Sequence, residues 1–331
     1  MKNSKIIGLG HYVPENEVSN SDLEKIMDTT NEWIVERTGI ETRRWFNPEK
    51  DTVSNMAKKA TEMAAHNAGI EISEIEFIVF ATITPDYFFP GSGVLLQREL
   101  GLQGIGALDI RNACSGFIYG LSVGDQYIKS GMYKTVLVVG AEIQSSALDK
   151  STEGRSSSVI FADGAGAAIL RATDDKKGIL STHLHADGDY AEELYVKDPG
   201  SSRQTRLSKE MLDGKTFNLT MNGNAVFKHA VVRFSEVIKE ALEKNDRTVS
   251  DIDLLIPHQA NLRISNFVQK QFNLPDDKVF NNIMYYGNTT AASIPIAMSE
   301  AIEKGLITEG KTICLAAFGS GFTWASALID W

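Results

Sequence analysis

Only two of the 331 residues are cysteines, and Cys114 lies in DIRNACSGFIYGL, where an apolar run gives way to an amphipathic pattern. Ala113, Ser115 and Gly116 crowd its sulfur little, and the following GFIYGLSVGDQYIKSG has helical periodicity. A helix start offers unpaired N–H groups and a positive partial charge, which favour thiolate and lower a cysteine pKa from about 8.5 toward neutrality. On its own Cys114 reads equally as a nucleophile or as a small buried hydrophobe. Cys314, inside the apolar TICLAAF, is expected to be a buried small hydrophobe. His258 ends the apolar run DLLIP, and Asn288 sits between Gly287 and the small-residue run TTAAS. By residue type alone, a cysteine protease with histidine as base and asparagine to orient it is open. A metal centre fits poorly, because Cys114 and His258 lack companion ligands at short spacing, and none is expected.

The elements that must position these residues are written twice. IEFIVF (75–80) and IDLLIP (252–257) are 177 residues apart, as are KTVLVVGAE (134–142) and KTICLAAFG (311–319). The helical stretches GLSVGDQYIKSG and IPIAMSEAIEKG are 174 apart, which places a three-residue difference in the turn that follows. Apolar runs alternating with amphipathic helices indicate parallel strands buried on both faces. Two α/β halves, 1–171 and 172–331, are expected to pack as a pseudo-dimer. At these offsets Cys114 falls on Asn288 and Ala81 on His258, so the three residues collect at strand and helix ends, where α/β sheets build sites.

Composition narrows the classes. Hydrophobic content of 43% and charged content of 23% describe a globular chain. A net charge of −10 argues against a general nucleic-acid binder. No apolar run approaches the roughly 18 residues of a membrane helix, and the N-terminus lacks the pattern of a signal peptide. Two cysteines make no disulfide framework, so the cytoplasm is the expected compartment. DGAGAA (163–168) resembles a dinucleotide-binding fragment, but ILRATDD after it is a strand running into a turn and no phosphate-binding helix.

NACSGF, PHQANLRI, YGNTTAAS and AFGSGFTWASALIDW together resemble the β-ketoacyl–acyl-carrier-protein synthase III family, of thiolase fold, and the likeness runs from KIIGLGHYVPE to the C-terminus. The resemblance implies a layered α-β-α-β-α architecture and a homodimer. It also implies a decarboxylative condensation of an acyl-CoA starter with malonyl-acyl carrier protein, both as substrates, with no resident cofactor. Cys114 would carry the acyl group, with the backbone N–H groups of Cys114 and Ser320 as its oxyanion hole, and His258 and Asn288 would hold the malonyl-derived enolate. Trp33 and Arg155 would clamp the adenine of CoA, with Thr29 and Arg37 beside it. Gly223, Asn224 and Asn261 would line the pantetheine path, and Lys228 and Arg263 would meet the carrier protein. Phe89 would cross a dimer interface into the neighbour's acyl pocket, its bulk implying a short starter.

The chain departs from the family at Arg111 and Asn112 before the cysteine, at Tyr286 before Gly-Asn, and at Ser320, where glycine is common. A buried Arg111 would need a partner, and a positive φ at Ser320 would carry a steric cost. Two other activities share the Cys–His pair: a specialised condensing paralogue of another lipid or polyketide pathway, and an acyltransferase to an oxygen or nitrogen acceptor. The second has no need of Asn288.

Overall fold

The apolar runs become the inner strands of two sheets. The computed structural model describes residues 2–331. One sheet contains β1 (Asn3–Tyr12), β2 (Phe77–Ala81), β3 (Gly106–Ile110), β4 (Thr135–Ile143) and β5 (Asp163–Thr173), in the order β1-β5-β4-β2-β3. The other contains β6 (Gly178–Ala186), β7 (Leu254–Pro257), β8 (Thr312–Gly319) and β9 (Thr323–Asp330), in the order β7-β8-β9-β6. Every residue of β2, β4 and β8 is buried, as strands covered on both faces require. The sheets are nevertheless mixed. β2 runs parallel to β3 and β4, and β7 to β8, but β5 with β4 and β1, and β9 with β8 and β6, are antiparallel. The expectation of parallel pairing fails at β8–β9 because residues 320–322 are too short a link for a crossover.

Helices fill three layers around the sheets. They are α1 (Asn31–Thr38), α2 (Val53–Ala68), α3 (Ser92–Glu99), α4 (Gly116–Lys129), α5 (Gly223–Glu243), α6 (Leu262–Gln271) and α7 (Ser293–Glu303). Phe117 and Leu121 of α4 and Ile294 and Met298 of α7 share one apolar cluster with Val136 and Val138 of β4 and Leu315 and Ala317 of β8. The alternate residues Leu137 and Val139 pack outward on Met56 and Ala60 of α2, and Cys314 and Ala316 pack outward on Phe234 and Val268 of α5 and α6. The order is therefore α-β-α-β-α, with α4 and α7 between the sheets.

The repeat is visible in the topology and corrects its own register. β1, β2, β4 and β5 occupy the places that β6, β7, β8 and β9 occupy in the second sheet. The place matching β3 is reduced to one bridge between Leu255 and Val279. Both central helices follow a 3₁₀ turn, Ala113–Ser115 and Thr290–Ala292, and each turn opens on a left-handed residue, Ala113 at φ 45° and Thr290 at φ 53°. Cys114 therefore corresponds to Ala291, 177 residues on, and not to Asn288. The spacing of 174 holds only at the far ends, because α7 has 11 residues where α4 has 14.

The two turns meet tightly. An added Cβ on Gly140 of β4 would lie 2.3 Å from the Ala291 carbonyl oxygen. Gly140→Ala should cost about 2 kcal/mol by overpacking, whereas Gly188→Ala, whose Cβ meets nothing within 4 Å, should be near neutral. Urea denaturation with unchanged slope checks the pair; equal stability of both variants would contradict this packing.

Candidate active site

Cys114 is placed by a turn with its donors left free. The helices α1 and α2 are capped by the Thr30 and Thr52 side chains, but α4 begins without a side-chain cap. The backbone N–H groups of Cys114 and Ser320 instead converge on the Cys114 sulfur. The hydroxyls of Ser115 and Thr323 lie 2.5 Å apart and tie the cysteine turn to the β8–β9 connection. Gly319 must lack a side chain, since a Cβ there would sit 2.7 Å from the cysteine Cβ and 3.1 Å from its sulfur.

The expected low thiol pKa is not found. Burial, together with the negative charge of Glu142, pushes Cys114 up to about 12 against the pull of the two N–H groups. At rest the nucleophile is a thiol. Desolvation outweighs the helix start because the turn is enclosed between two sheets. Cys314 lies at the centre of β8, fully buried, and burial alone raises it to about 12.

His258 follows β7 and is 3% exposed. Its Nδ1 is 2.6 Å from the hydroxyl of Ser293, the first residue of α7, while its Nε2 is buried without a protein partner. Burial pushes its pKa down to about 3, so the imidazole is neutral. The serine hydroxyl can donate to Nδ1 or accept from it, so a rotation of one O–H decides whether Nε2 is donor or acceptor. Asn288 is also buried, and its Oδ1 accepts the Thr290 N–H at 2.8 Å. That bond spends the carbonyl end of the amide and leaves its NH₂ group as the free donor.

Cys114, His258 and Asn288 are thus brought to one place, since Ser293 and Asn288 flank the turn that packs on the cysteine turn. An added Cβ on Gly116 would meet Ala291 Cβ at 3.7 Å. Sequence reasoning missed Ser293, which reads as an ordinary helix-start residue. It also missed Glu142, although a carboxylate ending an apolar run buried on both faces is an anomaly legible in the sequence.

The remaining residues divide. The guanidinium groups of Arg37 and Arg155 lie 4.5 and 4.8 Å from the centre of the Trp33 ring, so both cations already contact the indole. Thr29 lies beside them with a buried, unpartnered hydroxyl. Asn261 caps α6, accepting from Arg263 N–H at 2.9 Å and donating to the Arg37 carbonyl at 2.9 Å, so both ends of its amide are engaged. Gly223 borders open space, and Asn224 and Lys228 are exposed on the first turns of α5. Arg263 stands 5.7 Å over the Phe227 ring. Phe89 is 77% exposed beside exposed Tyr87 and Phe88.

The departures are absorbed locally. Arg111 is exposed and buries no charge. Ser320 is not among the residues with positive φ; Gly321 takes that conformation, at φ 134°, and the Ser320 hydroxyl donates to the Leu194 carbonyl. Tyr286 donates to Glu300 at 2.7 Å, and the same carboxylate accepts from Asn282 at 3.0 Å.

Two family descriptions match the chain: 3-oxoacyl-[acyl-carrier-protein (ACP)] synthase III over residues 108–188, and the C-terminal part of the same family over residues 242–331. The β-ketoacyl-[acyl-carrier-protein] synthase III of Aliivibrio fischeri is 45% identical over 326 residues, covering 98% of this chain and 99% of that one. The crystal structure of 3-oxoacyl-[acyl-carrier-protein] synthase III from Aquifex aeolicus superposes with a TM-score of 0.91 at 43% identity, covering 99% of this chain and 100% of that chain. The priming β-ketosynthase of the R1128 polyketide pathway superposes at 0.90 with 32% identity, covering 99% and 96%. With likeness of this extent, and the thiolase fold shared, the chain belongs to the β-ketoacyl-acyl-carrier-protein synthase III family.

Proposed function

We propose that this chain condenses an acyl-CoA starter with malonyl-acyl carrier protein, releasing carbon dioxide and giving a 3-oxoacyl-acyl carrier protein, the opening condensation of fatty acid synthesis. The observation that carries this is a division of donors. Two backbone N–H groups converge on a buried thiol, and two side-chain donors without protein partners, His258 Nε2 and the Asn288 amide, flank the turn packed against it. One set suits an oxyanion on a carbonyl bound to Cys114, the other an enolate oxygen.

In the first half-reaction the Cys114 sulfur attacks the thioester carbonyl, the carbonyl–sulfur bond to CoA breaks, and the thiol proton leaves with CoA. His258, with Nε2 as acceptor, relays that proton. In the second, the malonyl C–C bond breaks and its electron pair forms an enolate, whose oxygen accepts from His258 and Asn288. The carbanion attacks the acyl carbonyl, the bond to sulfur breaks, and the Cys114 thiolate takes up a proton from solvent. These steps use the chain's own groups and no resident cofactor. An acyltransferase to another acceptor forms no enolate, so the free Asn288 amide speaks for condensation.

The CoA nucleotide is assigned to the Trp33, Arg37 and Arg155 stack with Thr29, which opens when Arg155 yields its place on the indole. Gly223, Asn224 and Asn261 border the arm, and Lys228 with Arg263 offers positive charge to an acidic carrier protein. β3 is a free sheet edge with Leu108 exposed, and an apolar edge beside exposed Phe88 and Phe89 calls for cover. A second copy of the chain supplies it in this proposal, with Phe89 entering the neighbour's acyl pocket. The nucleophile must stay reduced, which suits the cytoplasm.

Incubation with a panel of acyl-CoAs should place one acyl group on the Cys114 peptide and none on Cys314, and the preferred chain length then separates fatty acid initiation from a specialised paralogue. Cys114→Ser should abolish condensation; labelling at Cys314 would refute the assignment. Asn288→Ala should keep single-turnover acylation while slowing carbon dioxide release by about 10²-fold. Equal loss in both steps would mean that Asn288 organises the cysteine. Because His258 stays neutral down to about pH 3, condensation should show no loss centred near pH 6.5. Phe89→Ala should admit longer acyl chains, and unchanged chain preference would remove Phe89 from the pocket.

A further inference from the structure

One fully enclosed ionisable group has no part in these steps. Glu142 lies one residue before the end of β4, and its whole residue is 0% exposed. At the 177-residue register its counterpart is Gly319, just as Ala291 answers to Cys114 and Ile143 to Ser320. On the cysteine side, the N–H groups of Cys114 and Ser320 meet over a space that Gly319 leaves open. On the other side, the matching groups are taken. The Ala291 N–H faces the Glu142 carboxyl group and favours its charged form, and the Ile143 N–H donates to Thr84 Oγ1 at 2.9 Å. That threonine donates onward to Glu142 Oε2 at 2.6 Å, with Ile83 N–H at 3.2 Å and Thr82 Oγ1 at 3.3 Å completing the cradle. One helix-start hole is kept for a substrate oxygen; its twin is filled by the chain's own carboxylate.

We propose that Glu142 is a positioning residue for condensation, the resident carboxyl group of the twin hole, which holds the turn Thr290–Ala292 and through it the donors Asn288 and His258. The proposal rests on the function given above, because Glu142 acts through groups assigned there. Thr290 N–H holds the Asn288 carbonyl, and Ser293, two residues beyond Ala291, holds His258. A displacement of Ala291 is therefore delivered to both enolate donors, and a misplacement of about 1 Å can cost 10²-fold in rate.

Glu142 also faces the nucleophile, as its charge raises the Cys114 pKa. Other ionisable groups near this layer are otherwise placed. His258 is bonded to Ser293, Asp125 of α4 to Ser4 and Lys129, and Glu300 of α7 to Tyr286 and Asn282, while Asp163 of β5 turns to Ser145. Burial moves Glu142 up to about 8, and its charge, once formed, holds the thiol proton more tightly.

The test compares the full-length wild type with Glu142→Gln, Glu142→Asp and Thr84→Val in two assays. The first follows iodoacetamide alkylation of Cys114 against pH by mass spectrometry and needs no substrate. The second follows single-turnover carbon dioxide release from malonyl carrier protein beside acylation from acyl-CoA. Glu142→Gln should move the alkylation midpoint down by about one pH unit, since a negative neighbour is lost. It should slow carbon dioxide release at least tenfold, by the misplacement argument, and leave acylation within a few-fold. Glu142→Asp should recover part of the release rate, and Thr84→Val should show the same loss more weakly. Unchanged release and an unchanged midpoint in a folded Glu142→Gln would make the residue filler and overturn the proposal. Should that variant fail to fold, an undiminished release rate in Thr84→Val does the same. A wild type that releases no carbon dioxide sinks the condensation function instead, and the alkylation assay still reads the coupling of Glu142 to Cys114.

Discussion

The structure depends on two helix-start turns meeting between two sheets. Ala113–Ser115 and Thr290–Ala292 are enclosed by β4 and β8, close enough that Gly140 and Gly319 have no room for a side chain. A buried helix start leaves N–H groups that must be satisfied, since an unpaired buried donor is costly. The molecule meets the demand differently on its two sides. On one side the Cys114 N–H faces a sulfur, while on the other the Ala291 N–H faces a resident carboxyl group. An almost symmetric scaffold thereby acquires one reactive side.

The same enclosure fixes the protonation states. Without water, the thiol and Glu142 are pushed up and the imidazole is pushed down, so all three rest neutral or near it. A neutral imidazole with a free Nε2 and a hydroxyl on Nδ1 can exchange donor for acceptor without gaining charge. That suits a reaction whose two halves ask opposite things of one residue. The charges formed along the path are met by dipoles already in place, which need no reorganisation when the charge appears.

Away from this interior, another contact joins distant parts of the chain. The Trp33 stack, the cap at Asn261 and the bases of α5 and α6 gather because Asn261 bonds the carbonyl of Arg37, joining α6 to α1. One amide thus links the helix that carries Trp33 and Arg37 to the helix that carries Arg263.

Much of this was legible in the chain. Continuous apolar runs marked β2, β4, β7 and β8, because a strand covered on both faces has no position for a polar residue, and their equal spacing exposed the duplicated fold. Small residues around Cys114 marked a tight turn at a helix start, because only they fit where two turns meet between the sheets. The register within the repeat was misjudged, since a helix shortened at one end preserves spacing at the other and periodicity cannot tell which end moved. The direction of the Cys114 pKa was also misjudged: the helix start is local and readable, but the desolvation that opposes it comes from the second sheet, far away in sequence. Ser293, Thr84 and the partners of Glu142 were silent for the same reason. A hydroxyl or a carboxylate takes its role from what faces it, and only the packing of the two halves decided what those faces were.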